Sequence, residues 1–217
     1  MATCPIRKDI PAPPKFMQQL PIDERGYPVP WFVEWVDGKP EFRAMDGRKF
    51  VRAIKERLCW VCGNPLNGQM VFTIGPMCAV NRINAEPPCH RDCARYSAAA
   101  CPFLSKPQMI RRRFGEDVAI TMHESSIERN PGVTALWFAR RFELVEIPTG
   151  LLFHMGEPFK VEWYCRGRVA TREEILHSIN TGLPLLDATC DQDDDPAAAR
   201  AALQACYKRA LRLLPAA

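Results

Sequence analysis

At 217 residues the chain is long enough to bury a core of its own, so a bound ion is not required to hold the whole molecule together. A formal charge of +4 and a pI near 8.6 make it mildly basic, compatible with a polyanionic partner but well short of a dedicated nucleic-acid binder. No apolar run approaches the roughly 18 residues of a membrane-spanning helix, and no secretory h-region follows the basic residues near the start, so a cytoplasmic protein is expected.

The unusual counts are 20 prolines and 10 cysteines. In a reducing compartment cysteines serve as thiols or metal ligands rather than disulfides, which gives their spacing weight. Six of the ten fall between Cys59 and Cys101.

Residues 1–30 contain seven prolines, which remove amide donors and oppose both helix and central strand, so an irregular Pro-rich arm is predicted there. A second part spans 31–115. It opens with a hairpin, residues 31–36 and 41–45 around an Asp37-Gly38 turn. Asp46 then caps a helix whose apolar stripe is Phe50, Ile54 and Leu58 and which ends where Cys59 begins. Residues 70–74 form a strand, 75–88 a loop, and a helix opens at His90 and closes near Ala100.

The third part, 116–217, has the texture of an antiparallel sheet: short β-branched and aromatic segments at 117–122, 133–139, 142–147, 151–154 and 159–165, separated by Gly and Pro turns. In the last segment Phe159, Val161, Trp163 and Cys165 alternate with charged or polar residues, the period of a strand with one solvated face. Thr171 and Glu174 make a capping box, and Gly182 with Pro184 predicts that the helix stops near Thr181. A last helix begins at Asp195-Pro196, ends among Lys208, Arg209 and Arg212, and packs on the sheet through Ala199, Ala202, Leu203, Cys206, Ala210 and Leu213. The predicted class is α+β, a zinc module joined to an antiparallel sheet with C-terminal helices.

The module, 59–101, rests on spacing. Cys59-Trp60-Val61-Cys62-Gly63 is a zinc knuckle, in which two thiolates face one ion and the glycine tolerates the closing turn. His90 and Cys93, three apart on a first helical turn, supply a second pair on one face. Knuckle, strand or hairpin, then a helix carrying two ligands resembles a treble-clef zinc finger. Four protein ligands leave no open position, so such an ion is structural. Cys78, Cys89 and Cys101 are alternates for the fourth ligand that spacing does not separate from His90, and four thiols would instead suit an iron–sulfur cluster. Cys4, Cys165, Cys190 and Cys206 read as packing residues.

Several stretches resemble a family of uncharacterised proteins from bacteria and their phages: Glu24-Arg25-Gly26-Tyr27-Pro28-Val29-Pro30-Trp31-Phe32-Val33, the knuckle, Ile74-Gly75-Pro76-Met77-Cys78-Ala79-Val80-Asn81-Arg82, and Ala85-Glu86-Pro87-Pro88-Cys89-His90-Arg91-Asp92-Cys93-Ala94. The resemblance implies a bacterial or phage origin and a cytoplasmic setting, and it brings no activity.

Tests for catalysis are largely negative. An HNH nuclease needs a catalytic His ahead of the metal helix, and a nucleobase deaminase needs a His-x-Glu ahead of Pro-Cys-x-x-Cys; no His precedes His90. A phosphate-cradling Gly-rich loop is absent. His123, His154 and His177 stand singly. Asn81, Arg82, Asn84 and Glu86 form a polar group that is either an exposed binding loop or a hydrogen-bonded brace. Lys106 with Arg111, Arg112 and Arg113 is the densest basic cluster, able to meet phosphates or an acidic protein, although it lacks interleaved aromatics and reads equally as a solvated face. The function expected is a zinc-binding, non-enzymatic binding or adaptor protein contacting nucleic acid or another protein. The alternative is a metal-dependent hydrolase or nuclease using Glu86 beside an open metal position.

Overall fold

The computed structural model describes residues 4–68, 70–106, 132–148 and 150–216. The arm is irregular, as its prolines demand, yet it is packed down. A 3-10 turn at Lys15–Met17 and a bridge between Ile22 and Pro28 shape it, and Met17, Leu20 and Val29 are buried. Asp23 closes the turn within that bridge by accepting from the amides of Arg25 and Tyr27 at 3.0 and 2.8 Å.

Strands β1 (Val33–Val36) and β2 (Lys39–Met45) form the predicted hairpin, with Asp37 and Gly38 both at positive φ (49° and 74°) as a two-residue turn requires. Asp46 caps α1 (Gly47–Lys55), accepting from the amides of Arg48 and Lys49 at 2.9 and 3.3 Å. The helix stops short of Leu58 because Arg57 turns left-handed at φ 53°, and Leu58 instead bridges to Pro65.

After β3 (Met70–Ile74) the loop expected over 75–88 is replaced by α2 (Pro76–Asn81) and β4 (Ile83–Asn84). Pro76 sits in the first helical turn, where its missing N–H has no partner to lose, so it starts a helix rather than forbidding one. Helices α3 (Arg91–Ala100) and α4 (Pro102–Ser105) follow; the second was not anticipated.

The C-terminal strands are β5 (Thr134–Ala139), β6 (Phe142–Ile147), β7 (Gly150–Met155), β8 (Pro158–Cys165) and the short β9 (Arg168–Val169). The strand expected at 117–122 lies outside the described residues. The others divide between two antiparallel sheets instead of one, in the orders β3-β5-β8-β9 and β4-β7-β6. Strand β3 pairs along its length with β5, so the four-stranded sheet runs across the boundary expected near 115.

Strand β5 is buried at every position, and the sheet has cover on both faces. Trp163 and Cys165 of β8 point to one core, as predicted, with Val161 packed against it, but Phe159, expected on the same face, is 46% exposed. The face expected to be solvated is instead half-buried: Glu162 receives two hydrogen bonds from Arg95 of α3, at 2.9 and 2.5 Å, and Tyr164 packs beside it.

Helix α5 spans Arg172–Thr189 and does not stop at Gly182 or Pro184. Gly182 is helical and buried. A Cβ there would stand 2.9 Å from the sulfur of the flexible Met77 side chain of α2, so Gly182 faces a packed neighbour and does not reverse the chain. Pro184 forfeits one internal hydrogen bond, a loss outweighed by burial of Ile175, Ile179 and Gly182. Helix α6 (Pro196–Leu211) begins at the predicted Asp195 cap but rests chiefly on α2 rather than on the sheet. The segment just beyond it reaches the sheet, where Trp163 Nε1 donates to the Leu213 carbonyl at 3.1 Å. No helix among the described residues is long and apolar enough to cross a membrane.

Candidate metal centre

Four local devices bring the predicted ligands together. Gly63 lets the knuckle close at φ 74°, and its amide donates to the Cys59 carbonyl at 2.8 Å. Its α-hydrogen faces Trp31, whose Cγ would lie 2.7 Å from any Cβ. The Cys59 amide donates to the Asn64 carbonyl at 2.7 Å, fastening the turn from the other side. An antiparallel bridge between Val71 and Cys89, with hydrogen bonds of 3.0 and 2.8 Å, closes a hairpin on β3 and delivers the chain to the start of α3.

At that point His90 caps α3 and Cys93 lies in its first turn. The Sγ atoms of Cys59, Cys62 and Cys93 and a ring nitrogen of His90 all lie within 4.8 Å of one another. The three cysteines are buried and His90 is 9% exposed. Knuckle, hairpin and helix thus follow in the predicted order, with α2 and β4 inserted in the hairpin.

The geometry suits a tetrahedral ion. With Zn–S near 2.3 Å and Zn–N near 2.0 Å, the sulfur-to-nitrogen edge of a tetrahedron is about 3.6 Å. Nδ1 of His90 lies 3.4 Å from Cys62 Sγ and 4.0 Å from Cys93 Sγ, on either side of that edge. Nε2 lies 2.9 Å from the Pro65 carbonyl, which can only accept. The proton of a neutral ring is therefore on Nε2, and the Nδ1 lone pair faces the thiols. Two donors soften the sulfur charge: the His90 amide to Cys59 Sγ at 3.3 Å and Asn64 Nδ2 to Cys62 Sγ at 3.4 Å.

Proton competition among these groups points the same way. Hydrogen bonding with Cys59 and then Cys93 pulls the Cys62 thiol far below its ordinary value, while Cys59 and Cys62 push Cys93 far above. Beside Cys59 and Cys62 the His90 ring is pushed up to about 10. The four groups stand close enough to compete for the same protons, and such a donor set is compatible with a metal ion.

The alternates are placed elsewhere. The Cys89 thiol is held by the Val71 carbonyl at 3.2 Å and lies 3.7 Å from Thr73 Oγ1, and burial pushes it well up. Cys78, on α2, packs against the opposite core and is pushed up to about 11 by burial. Cys101 caps α4, and burial raises it too. All three are outside the four-donor group, as is Glu86.

The polar group on 81–86 is woven into the fold. Asn81 Oδ1 accepts from the Ile83 amide at 3.0 Å, and the buried Asn84 donates to the Glu86 carbonyl at 2.7 Å. Arg82 makes a two-pronged pair with Glu157 at 2.7 and 2.9 Å, its guanidinium 5.9 Å from the Trp137 ring centre. Of the basic cluster, Lys106 is exposed just beyond α4, and Arg111, Arg112 and Arg113 lie outside the described residues. His154 of β7 faces Glu143 at 3.9 Å, His177 is exposed on α5, and His123 is not described.

Three contributors at the centre were not read from the sequence. Asn64 and the Pro65 carbonyl directly follow the knuckle, a position that could have suggested them. Phe16, stacked on the His90 ring at 4.8 Å and 18°, comes from the arm and carries no local signal. No protein-family model, no curated protein and no solved structure matches the chain, so the centre is read from its own geometry.

Proposed function

We propose that Cys59, Cys62, His90 and Cys93 hold one zinc ion in a closed, structural site, and that the chain is a non-enzymatic binding protein of a bacterial or phage cytoplasm that contacts nucleic acid or another protein. The observation carrying the metal part is the convergence of three buried thiols and one oriented imidazole within 4.8 Å. A mixed sulfur and nitrogen set suits zinc, whereas a cubane or rhombic iron–sulfur cluster calls for a fourth thiolate where His90 stands. Four protein donors complete a tetrahedron and leave the ion no position for water, which favours scaffolding over hydrolysis.

The test is metal analysis of purified protein together with its absorption spectrum. One zinc per chain in a colourless protein is the expected result. Iron with visible absorption, or full stability and no bound metal after purification under reducing conditions, overturns it.

A further inference from the structure

The end of the four-stranded sheet where β5 finishes and β8 begins carries chemistry that neither the metal centre nor the cores use. Ala139 pairs with Pro158 across a register shift, and the chain turns through Arg140 and Arg141 into β6. The Arg140 guanidinium lies 5.5 Å from the centre of the Phe159 ring. Phe159 is 46% exposed, leaning edge-on against Phe138 at 5.9 Å. Lys160 stands next to it, its ammonium 5.6 Å from the Phe138 ring centre.

Elsewhere the guanidiniums are mostly taken by acids: Arg43 by Glu41, Arg52 by Glu56, Arg82 by Glu157, Arg95 by Glu162. Arg140 and Arg141 are exposed and pair with no carboxylate among the described residues. Of the neighbouring acids, Glu157 holds Arg82 and Glu162 holds Arg95 and Lys160, while Glu143 stays exposed, 3.9 Å from His154 Nδ1. The site therefore offers two unneutralised guanidiniums, a shared ammonium at the rim, and an exposed ring.

An acidic protein surface would use the cations and leave the ring idle. A nucleotide uses both, a phosphate on the guanidiniums and a base against the ring. Duplex bases hide their faces in the stack, so the ring selects unpaired strands. We propose that Arg140, Arg141 and Phe159, with Lys160 at the rim, form a contact platform for single-stranded nucleic acid. This deepens the binding-protein reading and rests on it; the ring and the arginines are 19 and 18 positions apart in sequence, which is why no run of basic and aromatic residues announces them.

The experiment is fluorescence anisotropy of the zinc-loaded full chain with labelled oligo(dT), oligo(U) and a mixed-sequence duplex, each of about 15 nucleotides, over a salt series. Single strands should bind more tightly than duplex. Phe159→Ala should weaken single-strand binding about ten-fold at unchanged salt slope, and Phe159→Trp should retain it. Replacing Arg140 and Arg141 together by Ala should reduce the slope of log affinity against log salt by about 1.4, the loss of two phosphate contacts. Equal or tighter duplex binding, an unaffected Phe159→Ala, or no binding at low salt by a folded, zinc-loaded sample each overturns the platform and leaves the metal reading intact. A sample without zinc sinks the metal reading whatever the oligonucleotides do.

Discussion

The two faces of the four-stranded sheet are covered by different means. On one, Phe72, Trp137, Phe153, Ile175 and Ile179 interdigitate with α2, α5 and α6, an assembly of large side chains on regular elements. On the other, Val71, Leu136 and Phe138 lie beneath the knuckle, the small-residue face of α3 and two residues of an irregular arm, Met17 and Leu20. The first face is stabilised by apolar area in the ordinary way. The second has fewer large aromatics and more cysteines, and its cover joins one helix, α3, to the turns of the knuckle and the arm. Its cover needs a fastener, and the proposed ion supplies one at the point where knuckle, arm and helix meet. On this proposal a chain of this length folds one core by packing alone and depends on a metal for the layer beyond it.

The sharpest way to break this asymmetry is Cys93→Ser. Losing one of four ligands should release the ion and destabilise the knuckle face by more than about 5 kcal/mol, seen as a low-temperature transition that spares the helical face. Ile175→Ala attacks the other side. It should cost about 4 kcal/mol in denaturant unfolding while zinc content stays at one per chain. Gly63→Ala combines a φ of 74° with a Cβ 2.7 Å from Trp31, and about 3 kcal/mol with weakened zinc retention is expected.

The smallest effect concerns the bond that ties α3 to the sheet on the knuckle face. Arg95 of α3, through its hydrogen bonds, holds Glu162 of β8 down to about 2 from an ordinary 4.5. The folded state thus binds this proton less readily than the unfolded chain. Its contribution is complete above about pH 4.5 and disappears as pH falls toward 2. Glu162→Gln should cost about 1–2 kcal/mol at pH 7 after solvent screening, with the gap closing across that window in urea titrations.

What could be read from the sequence was whatever depended on neighbours along the chain. The Asp37-Gly38 turn, the Asp46 and Asp195 caps and the Thr171–Glu174 capping box are contacts within four residues, and each formed as expected. The donor set was legible for the same reason: two short spacings, joined by a hairpin. Failures came where a distant element decided the outcome. Gly182 and Pro184 punctuate a helix in isolation, but in the fold Gly182 is buried against Met77 of α2, about a hundred residues upstream, and the helix continues. The polar face of β8 reads as solvated until Arg95 reaches Glu162, 67 positions away. Arg82 reads from the sequence as either a binding group or a brace until Glu157, 75 positions on, pairs with it. The split of the strands into two sheets has the same origin, since β3 and β4 enter from the metal region to pair with β5 and β7.

The central claim is that an ion among Cys59, Cys62, His90 and Cys93 fastens one face of the sheet and not the other. Hydrogen exchange by mass spectrometry, before and after removal of metal with a strong chelator under reducing conditions, tests it directly. The account predicts that amides of the knuckle, the 88–90 segment and α3 lose protection while those of β5, β8 and α5 keep theirs. Protection lost uniformly along the chain, or unchanged at the knuckle and α3, would contradict it.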